Sequence, residues 1–455
     1  MNLGQNVYKT ISFWSWNGDM REDEIRWQIQ EFKEQGFGGF FIHSRAGRLI
    51  SYMGKEWIHA CEVAIKEAEK LGMNAWLYDE DGWPSGFAGG LVNGCGEEYC
   101  AKALRFCVGI PKKSIGQVIA VYRKTSEGAY CRIQEEQGTD EDLYAYYQVI
   151  RHYVDIMDDR VVAKFIEVTH EEYKRHFGHY FGNVVKGIFT DEPQMPSGPC
   201  WSSRMRNKYR EKYQEDILDK LWLMHVEGDG YQAFRYRFWC CANELINQNY
   251  TCQLNEWCNT NHLLLTGHFS AEDGLLDQTI ANGGVMPMYA NMGLPGIDHL
   301  GNRYAAAVLM KQITSVTHRR DLPYVLSEAF GCAGWDISFK ELLGIAGWHA
   351  VFGVNTLCTH LSAYTITGRR KRDYPAFFSY QEPWWKDTHV LFDAIRKLNS
   401  AIGESKRVTK VAVLHPIRSV WCLALHRFLK ILHYLFQLLH TEVCHCLHQA
   451  VKMPE

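Results

Sequence analysis

Two glutamates in this 455-residue chain are suited to acid–base chemistry. Glu192 follows Asp191 at the end of the apolar run 185–190, and Glu328 follows the run 323–327, so each lies at the carboxyl end of a predicted strand. A pair of carboxyl groups on two sides of a sugar, one protonated and one ionised, is what hydrolysis of a glycosidic bond needs. Asp191 supplies a neighbouring charge that would keep Glu192 protonated.

Other predicted strand ends carry polar and aromatic residues that could bind a substrate. Trp83 and Trp335 each follow a strand end within several residues, and an indole ring offers an apolar platform for the face of a sugar. The candidate substrate-binding residues are His43, Arg45, Asp79, Asp81, Trp83, Asp191, His268, Asp298, His299 and Trp335. Most of the fifteen tryptophans are expected to be core residues.

A cation site is the third chemical possibility. The turn Asp79-Glu80-Asp81 could supply hard oxygen ligands to calcium, with Glu80 as the candidate ligand. Hydrogen bonding of these carboxylates to sugar hydroxyls or to loop amides is the alternative. Zinc chemistry is disfavoured because the chain has no HExxH sequence, and no other cofactor is expected.

Strands and helices alternate along most of the chain, which indicates a parallel sheet. Strands are predicted to start near residues 11, 37, 73, 185, 262, 285, 323 and 353, the sixth of them covering Val285 to Tyr289. The first helix should begin at the capping-box pattern Asp19 to Glu22. Eight such units match an α/β TIM barrel, whose active sites lie at the carboxyl ends of the strands. The alternative fold, an open doubly wound sheet, typically has a glycine-rich phosphate-binding turn after its first strand. The sequence has no such turn there, which disfavours this fold.

The predicted domain boundaries lie where the alternation of strands and helices changes. Residues 8–99 and 156–404 form the two parts of the barrel, and residues 100–155 alternate in the manner of an inserted antiparallel β subdomain after strand three. Residues 405–455 are predicted to be a truncated or irregular segment. Within it, Val408 to His415 is typical of an opening strand of another domain, and a histidine-rich tail follows.

Composition excludes several other classes of protein. With 49 Lys and Arg against 52 Asp and Glu, the net charge is −3, and no basic surface for nucleic acid is expected. The fifteen cysteines are scattered, which predicts reduced thiols. Neither a signal peptide nor an apolar stretch of about 20 residues is visible, so a cytoplasmic, non-membrane protein is expected. The oligomeric state is left open.

Four motifs in order carry a resemblance to a known family. They are Phe13-Trp14-Ser15-Trp16-Asn17-Gly18-Asp19, the segment from Gly36 to Arg45, the segment from Trp76 to Gly90, and the segment from Gly187 to Pro193. Together they resemble the barrel of glycoside hydrolase family 106, the α-L-rhamnosidase-like enzymes, over roughly residues 10 to 415.

The resemblance implies a hydrolase that removes a terminal deoxy-sugar, usually by inversion and with a calcium ion near the sugar. Glu192 matches the position of the acid, and Glu328 matches the strand-seven carboxylate. Members of the family usually continue into β-rich accessory domains, so this chain is expected to be C-terminally truncated. A retaining β-galactosidase-like barrel and a non-catalytic sugar-binding barrel are the alternatives.

Overall fold

The computed structural model describes residues 3–196 and 198–424, which form a closed barrel of eight parallel strands and a separate four-stranded antiparallel sheet. The strands are β1 Ile11–Trp16, β2 Gly39–Ser44, β3 Asn74–Asp81, β4 Cys100–Val108, β5 Gln117–Lys124, β6 Tyr130–Ile133, β7 Leu143–Val154, β8 Val185–Asp191, β9 Leu264–His268, β10 Leu294–His299, β11 Leu326–Ala329 and β12 Thr356–Ala363. The order around the barrel is β1-β12-β11-β10-β9-β8-β3-β2, which confirms the predicted TIM barrel.

Most of the helices lie around the barrel, and one short helix packs against the inserted antiparallel sheet. The helices are α1 Glu22–Glu34, α2 Lys55–Leu71, α3 Asp159–Val168, α4 His170–Phe177, α5 Ser203–Tyr213, α6 Ile217–Lys220, α7 Tyr231–Ile246, α8 Gln253–Thr260, α9 Leu275–Asn282, α10 Met286–Tyr289, α11 Ala307–Arg319, α12 Phe339–Phe352, α13 Thr388–Gly403 and α14 Ile417–Leu423. In the part of the chain that the structure describes, no helix is long and apolar enough to span a bilayer.

The lower part of the barrel interior is a packed apolar core. Phe13, Phe41, Trp76, Phe189 and Leu326 from five different strands form one buried cluster. Since every second residue of a strand faces the interior, the polar residues that come two positions after these side chains lie above the core. These polar residues therefore lie at the carboxyl ends of the strands, where the active sites of TIM barrels are found.

The predicted sixth strand is wrong. Val285 to Tyr289 begins with the N-cap of the short helix α10, which has a proline near its start, a favourable place for proline. The strand is instead Leu294–His299, a segment whose Gly and Pro content is more typical of a loop. A Cβ on Gly296 would lie 2.7 Å from the carbonyl oxygen of Gly267, so this strand pair needs glycine to approach closely.

Gly267 also has a direct effect on the site. Its φ is +115°, and a Cβ there would meet the carbonyl oxygen of Thr190 at 1.8 Å. The missing side chain lets β9 approach the end of β8, and the amide of Glu192 donates a hydrogen bond to the carbonyl of His268 at 3.2 Å. The two strand ends that carry the candidate acid and His268 are thereby held together.

The start of α1 differs from the predicted capping box. The N-cap is Arg21, with no side-chain capping bond, and the carboxylate of Asp19 instead accepts a hydrogen bond from the Tyr364 hydroxyl at 3.0 Å. The predicted inward face of this helix is correct, because Ile25, Ile29 and Phe32 are buried.

The inserted sheet has the order β4-β7-β5-β6 with antiparallel pairs throughout. Tyr153 at the end of β7 donates from its hydroxyl to the carbonyl of Ser85 at 2.6 Å and accepts from the amide of Gln194. The insertion therefore supports both the loop after β3, which carries Trp83, and the segment that follows Glu192.

The predicted strand Val408 to His415 is not formed. Residues 408–414 are exposed and have neither helical nor strand structure, and none of the described strands pairs with them. The chain then returns to the barrel, where the indole of Trp421 in α14 donates to the carbonyl of Gly283. The histidine-rich tail predicted from the sequence lies outside the described residues.

Candidate active site

Polar side chains from neighbouring strands meet at the carboxyl end of the barrel axis. Most of them lie two residues after a member of the interior apolar cluster and therefore on the same face of their strands. They are His43 of β2, Tyr78 of β3, Asp191 of β8, His268 of β9, Asp298 of β10, Glu328 of β11 and His360 of β12. The structure therefore brings the predicted residues His43, Asp191, His268, Asp298 and Glu328 into one cleft.

His268 lies between two carboxylates. Its Nε2 is 3.2 Å from Asp191 Oδ1 and 3.2 Å from Glu328 Oε2, and all three side chains are buried. Burial alone would lower the pKa of His268, but the hydrogen bonds and charges of Asp191 and Glu328 raise it well above 6.5. His268 is therefore an imidazolium that fixes the orientation of both carboxylates.

Glu192 follows β8 in a left-handed conformation, with φ of +48°. Its side chain is half-buried, whereas Asp191 beside it is buried, so the backbone turn separates the two carboxylates. Burial raises the pKa of Glu192 to about 7, and the charge on Asp191 adds to this effect. A glutamic acid with this pKa is protonated in a large fraction of molecules near neutral pH, as a general acid requires.

Glu328 is in direct contact with His268, with its Oε2 3.2 Å from the ring Nε2. Burial raises its pKa, and the hydrogen bond from His268 opposes that rise. An oxygen of Glu192, a ring nitrogen of His268 and an oxygen of Asp298 also lie within 4.8 Å of one another. The imidazolium of His268 thus adjoins both predicted catalytic glutamates.

Asp298 and Tyr78 complete the polar layer. Asp298 Oδ1 is buried and has no hydrogen-bond partner among the described residues, and burial raises the pKa of this carboxyl well above 3.8. The Tyr78 hydroxyl donates to Asp191 Oδ2 at 2.6 Å. Tyr78 was not among the predicted site residues, and its position inside the barrel, two residues after Trp76, is the signal that could have identified it.

Arg45 links the cleft to its rim. Its guanidinium pairs with Asp373 at 2.8 and 2.9 Å, donates toward His43 at 3.0 Å and lies 4.2 Å from the ring centroid of Trp83. Tyr374 lies on the same guanidinium at 5.7 Å. Trp83 and Tyr374 are 38% and 42% exposed, so they present an apolar surface at the cleft.

Asp373 and Tyr374 are functional candidates that the sequence did not reveal. They lie just after the basic run 369–372, in a long segment without strand or helix periodicity. They reach the cleft because this segment folds back over the barrel and contacts Arg45. No local sequence pattern predicts such a tertiary contact.

Three predicted substrate-binding residues have other partners. The buried Asp79 accepts a hydrogen bond from Ser85, on the side of β3 away from the barrel axis. His299 is buried against His349, with ring nitrogens 3.1 Å apart. Asp81 pairs with Arg48 at 2.8 Å. None of these three is brought to the polar layer around His268.

Trp335 remains a candidate platform. It is 40% exposed, and its ring meets Phe377, a member of the interior cluster, edge-on at 5.0 Å. A sugar bound above the barrel axis could contact this indole at one side of the cleft.

Glu80 is positioned to order a loop. Its two buried carboxylate oxygens accept hydrogen bonds from five backbone amides, at distances from 2.5 to 3.0 Å; the donors are Asp81, Gly86, Phe87, Ala88 and Gly89. Burial raises the pKa of Glu80 to about 7, and these amides oppose the rise. The donors occupy both oxygens, so Glu80 does not fit the expected calcium site, and the alternative of hydrogen bonding to loop amides is the one observed.

Two other groups of side chains have spacing suitable for a cation. They are Asp191 with His268 and Glu328, and Glu192 with His268 and Asp298. Both include a ring nitrogen of His268, whereas calcium takes oxygen ligands, about six to eight of them. Each group offers only two carboxylates beside the imidazole, so these donor sets do not fit a resident calcium ion.

No protein-family model and no curated protein sequence matches the chain. Among solved structures, a rhamnosidase from Novosphingobium sp. PP1Y has a TM-score of 0.65 and 13% identity, over 88% of this chain and 60% of that one. A GH42 β-galactosidase from G. stearothermophilus has a TM-score of 0.58 and 13% identity, over 92% and 61%. A β-galactosidase from the psychrophilic Marinomonas ef1 has a TM-score of 0.53 and 6% identity, over 87% and 60%.

At these identities the likeness shows the fold, an α/β barrel that these glycosidases share. This chain spans about three-fifths of the length of each of these proteins.

Proposed function

We propose that this protein is a glycoside hydrolase that removes a terminal deoxy-sugar, of the α-L-rhamnoside type, by acid–base catalysis with inversion. The observation that carries the proposal is the placement of Glu192 and Glu328 around the same imidazolium of His268. The motif resemblance to family 106 and the fold likeness to a rhamnosidase both support this sugar class.

Glu192 is the general acid. Its pKa of about 7 leaves a proton to give to the glycosidic oxygen, so that the leaving group departs as a neutral alcohol while the anomeric C–O bond breaks. The left-handed turn at Glu192 places this carboxyl half-exposed beside a buried polar layer. A substrate can reach it while bulk water is largely kept away.

Glu328 is the general base. His268 holds one of its oxygens at 3.2 Å and favours the ionised form, which can take a proton from a water molecule. That water adds to the anomeric carbon from the face opposite the departing oxygen, and the product has the inverted configuration. Asp191, held by Tyr78 and His268, shares the positive charge and keeps His268 protonated.

The rim contributes contacts that orient the sugar. The exposed rings of Trp83, Tyr374 and Trp335 provide apolar surface, and a deoxy-sugar presents a methyl group and C–H bonds to such surface. Asp298 has a buried oxygen without a partner among the described residues, and a sugar hydroxyl would satisfy it. Calcium dependence stays a prediction from the family resemblance, and no step proposed here passes through a cation.

A screen of nitrophenyl glycosides, with and without a chelator, tests the activity, and NMR of the first product anomer tests the stereochemistry. The proposal expects hydrolysis of the α-L-rhamnoside and release of the inverted anomer. Release of the retained anomer would support the β-galactosidase-like alternative, in which Glu328 attacks carbon directly. Saccharide binding without hydrolysis of any glycoside would support a non-catalytic barrel.

A further inference from the structure

A cavity that the proposed reaction does not use lies on the same end of the barrel. It has a volume of about 320 Å³, and its walls come from the segments that follow β1, β2 and β12. All three segments leave the barrel at the carboxyl ends of their strands. Ligand pockets in proteins have volumes of about 300 to 1,000 Å³, so the cavity is large enough for a small ligand or one unit of a larger ligand.

The acidic residues of this cavity have unused hydrogen-bonding capacity. Asp19 Oδ1 accepts from Tyr364, and Glu24 Oε1 accepts from Gln28 at 2.8 Å. The second oxygen of each carboxylate has no hydrogen-bond partner among the described residues. Two acceptors therefore border the cavity and can bind hydroxyl groups.

Basic residues balance these charges. Arg370 donates to the backbone carbonyls of Asn17 at 2.5 Å and Gly47 at 2.7 Å, which holds its guanidinium in place beside the cavity. Arg21 also lines the cavity and pairs with Asp23. Because carboxylates and guanidiniums line the cavity together, a compact anion would meet repulsion, whereas a neutral polyhydroxylated ligand finds donors and acceptors.

An aromatic platform stands at the edge of the cavity. Tyr380 lines it and is 38% exposed, and Trp27 of α1 meets Tyr380 edge-on with ring centroids 4.6 Å apart and is 41% exposed. The two rings therefore present adjacent, partly exposed aromatic surface beside the cavity. Rings of this type pack against the C–H face of a sugar.

One segment joins the cavity to the catalytic cleft. Thr367 and Arg370 line the cavity, and Asp373 and Tyr374, a few residues further, hold and cover Arg45 at the rim of the cleft. A ligand longer than one sugar could thus contact both places along one wall.

We propose that this cavity is a distal saccharide subsite, which binds a second sugar unit of a neutral oligosaccharide whose terminal residue lies between Glu192 and Glu328. The inference rests on the proposed function for the position of the terminal sugar. The recognition itself rests on Tyr380, Trp27 and the balanced charges of the cavity. Its consequence is a preference for oligosaccharides over small aryl glycosides.

Tyr380→Ala tests this subsite, with Tyr304→Ala as the control, because Tyr304 is an exposed tyrosine that does not line the cavity. We expect Tyr380→Ala to lower kcat/KM about fivefold to tenfold on a rhamnose-terminated trisaccharide, mainly through KM. Hydrolysis of 4-nitrophenyl α-L-rhamnopyranoside should stay unchanged. Equal effects on the two substrates, or no effect on the trisaccharide, would overturn the subsite.

An array of neutral oligosaccharides gives a readout that does not need turnover. Glu192→Gln protein should bind oligosaccharides on the array, and the double variant with Tyr380→Ala should lose at least part of that signal. If no glycoside is hydrolysed but Tyr380→Ala weakens binding, the proposed function fails and the subsite stands. Absence of binding by both proteins, or equal binding, would contradict the subsite whatever the activity.

Discussion

His268 and Glu328, which are 60 residues apart in the chain, meet through Nε2 and Oε2 at 3.2 Å. The same nitrogen lies 3.2 Å from Asp191, so one imidazolium serves two buried carboxylates. A base that must stay ionised in a buried cleft needs a positive charge close to it. His268 is thus a positioning residue for Glu328 in the proposed reaction.

Replacing His268 with Gln should raise the pKa of Glu328, since a neutral amide replaces a cation. The base would then become protonated at a higher pH than in the wild type, so the acidic limb of the pH profile of kcat should move to higher pH. A shift of one pH unit would lower the activity at a fixed low pH about tenfold. We also expect a loss of about 3 kcal/mol in the free energy of unfolding, because Asp191 and Glu328 lose their buried partner. Steady-state kinetics across pH and urea unfolding measure the two effects.

His299→Gln is the matched control for this variant. His299 is also a buried histidine at a strand end, but burial lowers its pKa to about 4 and its ring contacts His349. The control should lose about 1 kcal/mol of stability and leave the pH profile in place. An equal displacement of the profile in both variants would show that His268 has only a structural role.

Glu192→Gln should affect substrates according to their leaving groups. Since Gln cannot donate a proton, alkyl rhamnosides should lose about 10² to 10⁴-fold in kcat/KM, and aryl rhamnosides with acidic phenols should lose much less. A series of aryl and alkyl rhamnosides measures the slope of rate against leaving-group pKa. If the slope is the same in the variant and the wild type, Glu192 is not the general acid.

The pKa of Glu192 predicts the alkaline limb of activity. The proton that Glu192 donates is present below about pH 7 and lost above it, so kcat/KM should fall as pH rises through about 7. Asp191→Asn removes a negative charge that raises this pKa, and the limb should move to lower pH. A limb that stays in place, or moves upward, would contradict the coupling between these neighbours.

Glu80→Gln tests the structural role of Glu80. One acceptor oxygen becomes an amide nitrogen that faces backbone N–H donors, so we expect a loss of about 1 to 3 kcal/mol in stability. Glu97→Gln, which removes an exposed pair with Arg151, should cost less than about 0.5 kcal/mol. Urea unfolding of both variants measures this. A chelator that destabilises the wild type as much as Glu80→Gln does would instead support calcium at Glu80.

Several residues of the candidate site could be predicted from polar residues that follow apolar runs in the sequence. Buried parallel strands are apolar on both faces, and their first polar residues lie at the carboxyl ends, so Asp191, His268 and Glu328 could be found from the sequence. The strand β10 was not predicted from the sequence because it contains glycine and proline, which are typical of loops. The glycine is needed at position 296, where the neighbouring strand packs closely. Asp298 was nevertheless predicted as a site residue, although it was predicted to lie after the sixth barrel strand and the structure places it within that strand.

Other parts of the site depend on contacts that no local pattern carries. Asp79 and His299 are next to interior-facing residues and therefore face the opposite side of their strands, which a list of strand-end residues does not distinguish. Tyr374 reaches the cleft only because its segment returns across the barrel to Arg45. The five amide donors to Glu80 likewise require the fold of the loop 86–89 to be known.

The joint action of Glu192 and Glu328 is tested most directly by kinetics of Glu192→Gln, Glu328→Gln and the double variant on an alkyl α-L-rhamnoside. Two groups that act in the same chemical step should each cost at least about 10²-fold, and the double variant should lose much less than the product of the two factors. Wild-type turnover by either single variant, or losses that multiply in full, would contradict a shared sugar between these carboxyl groups.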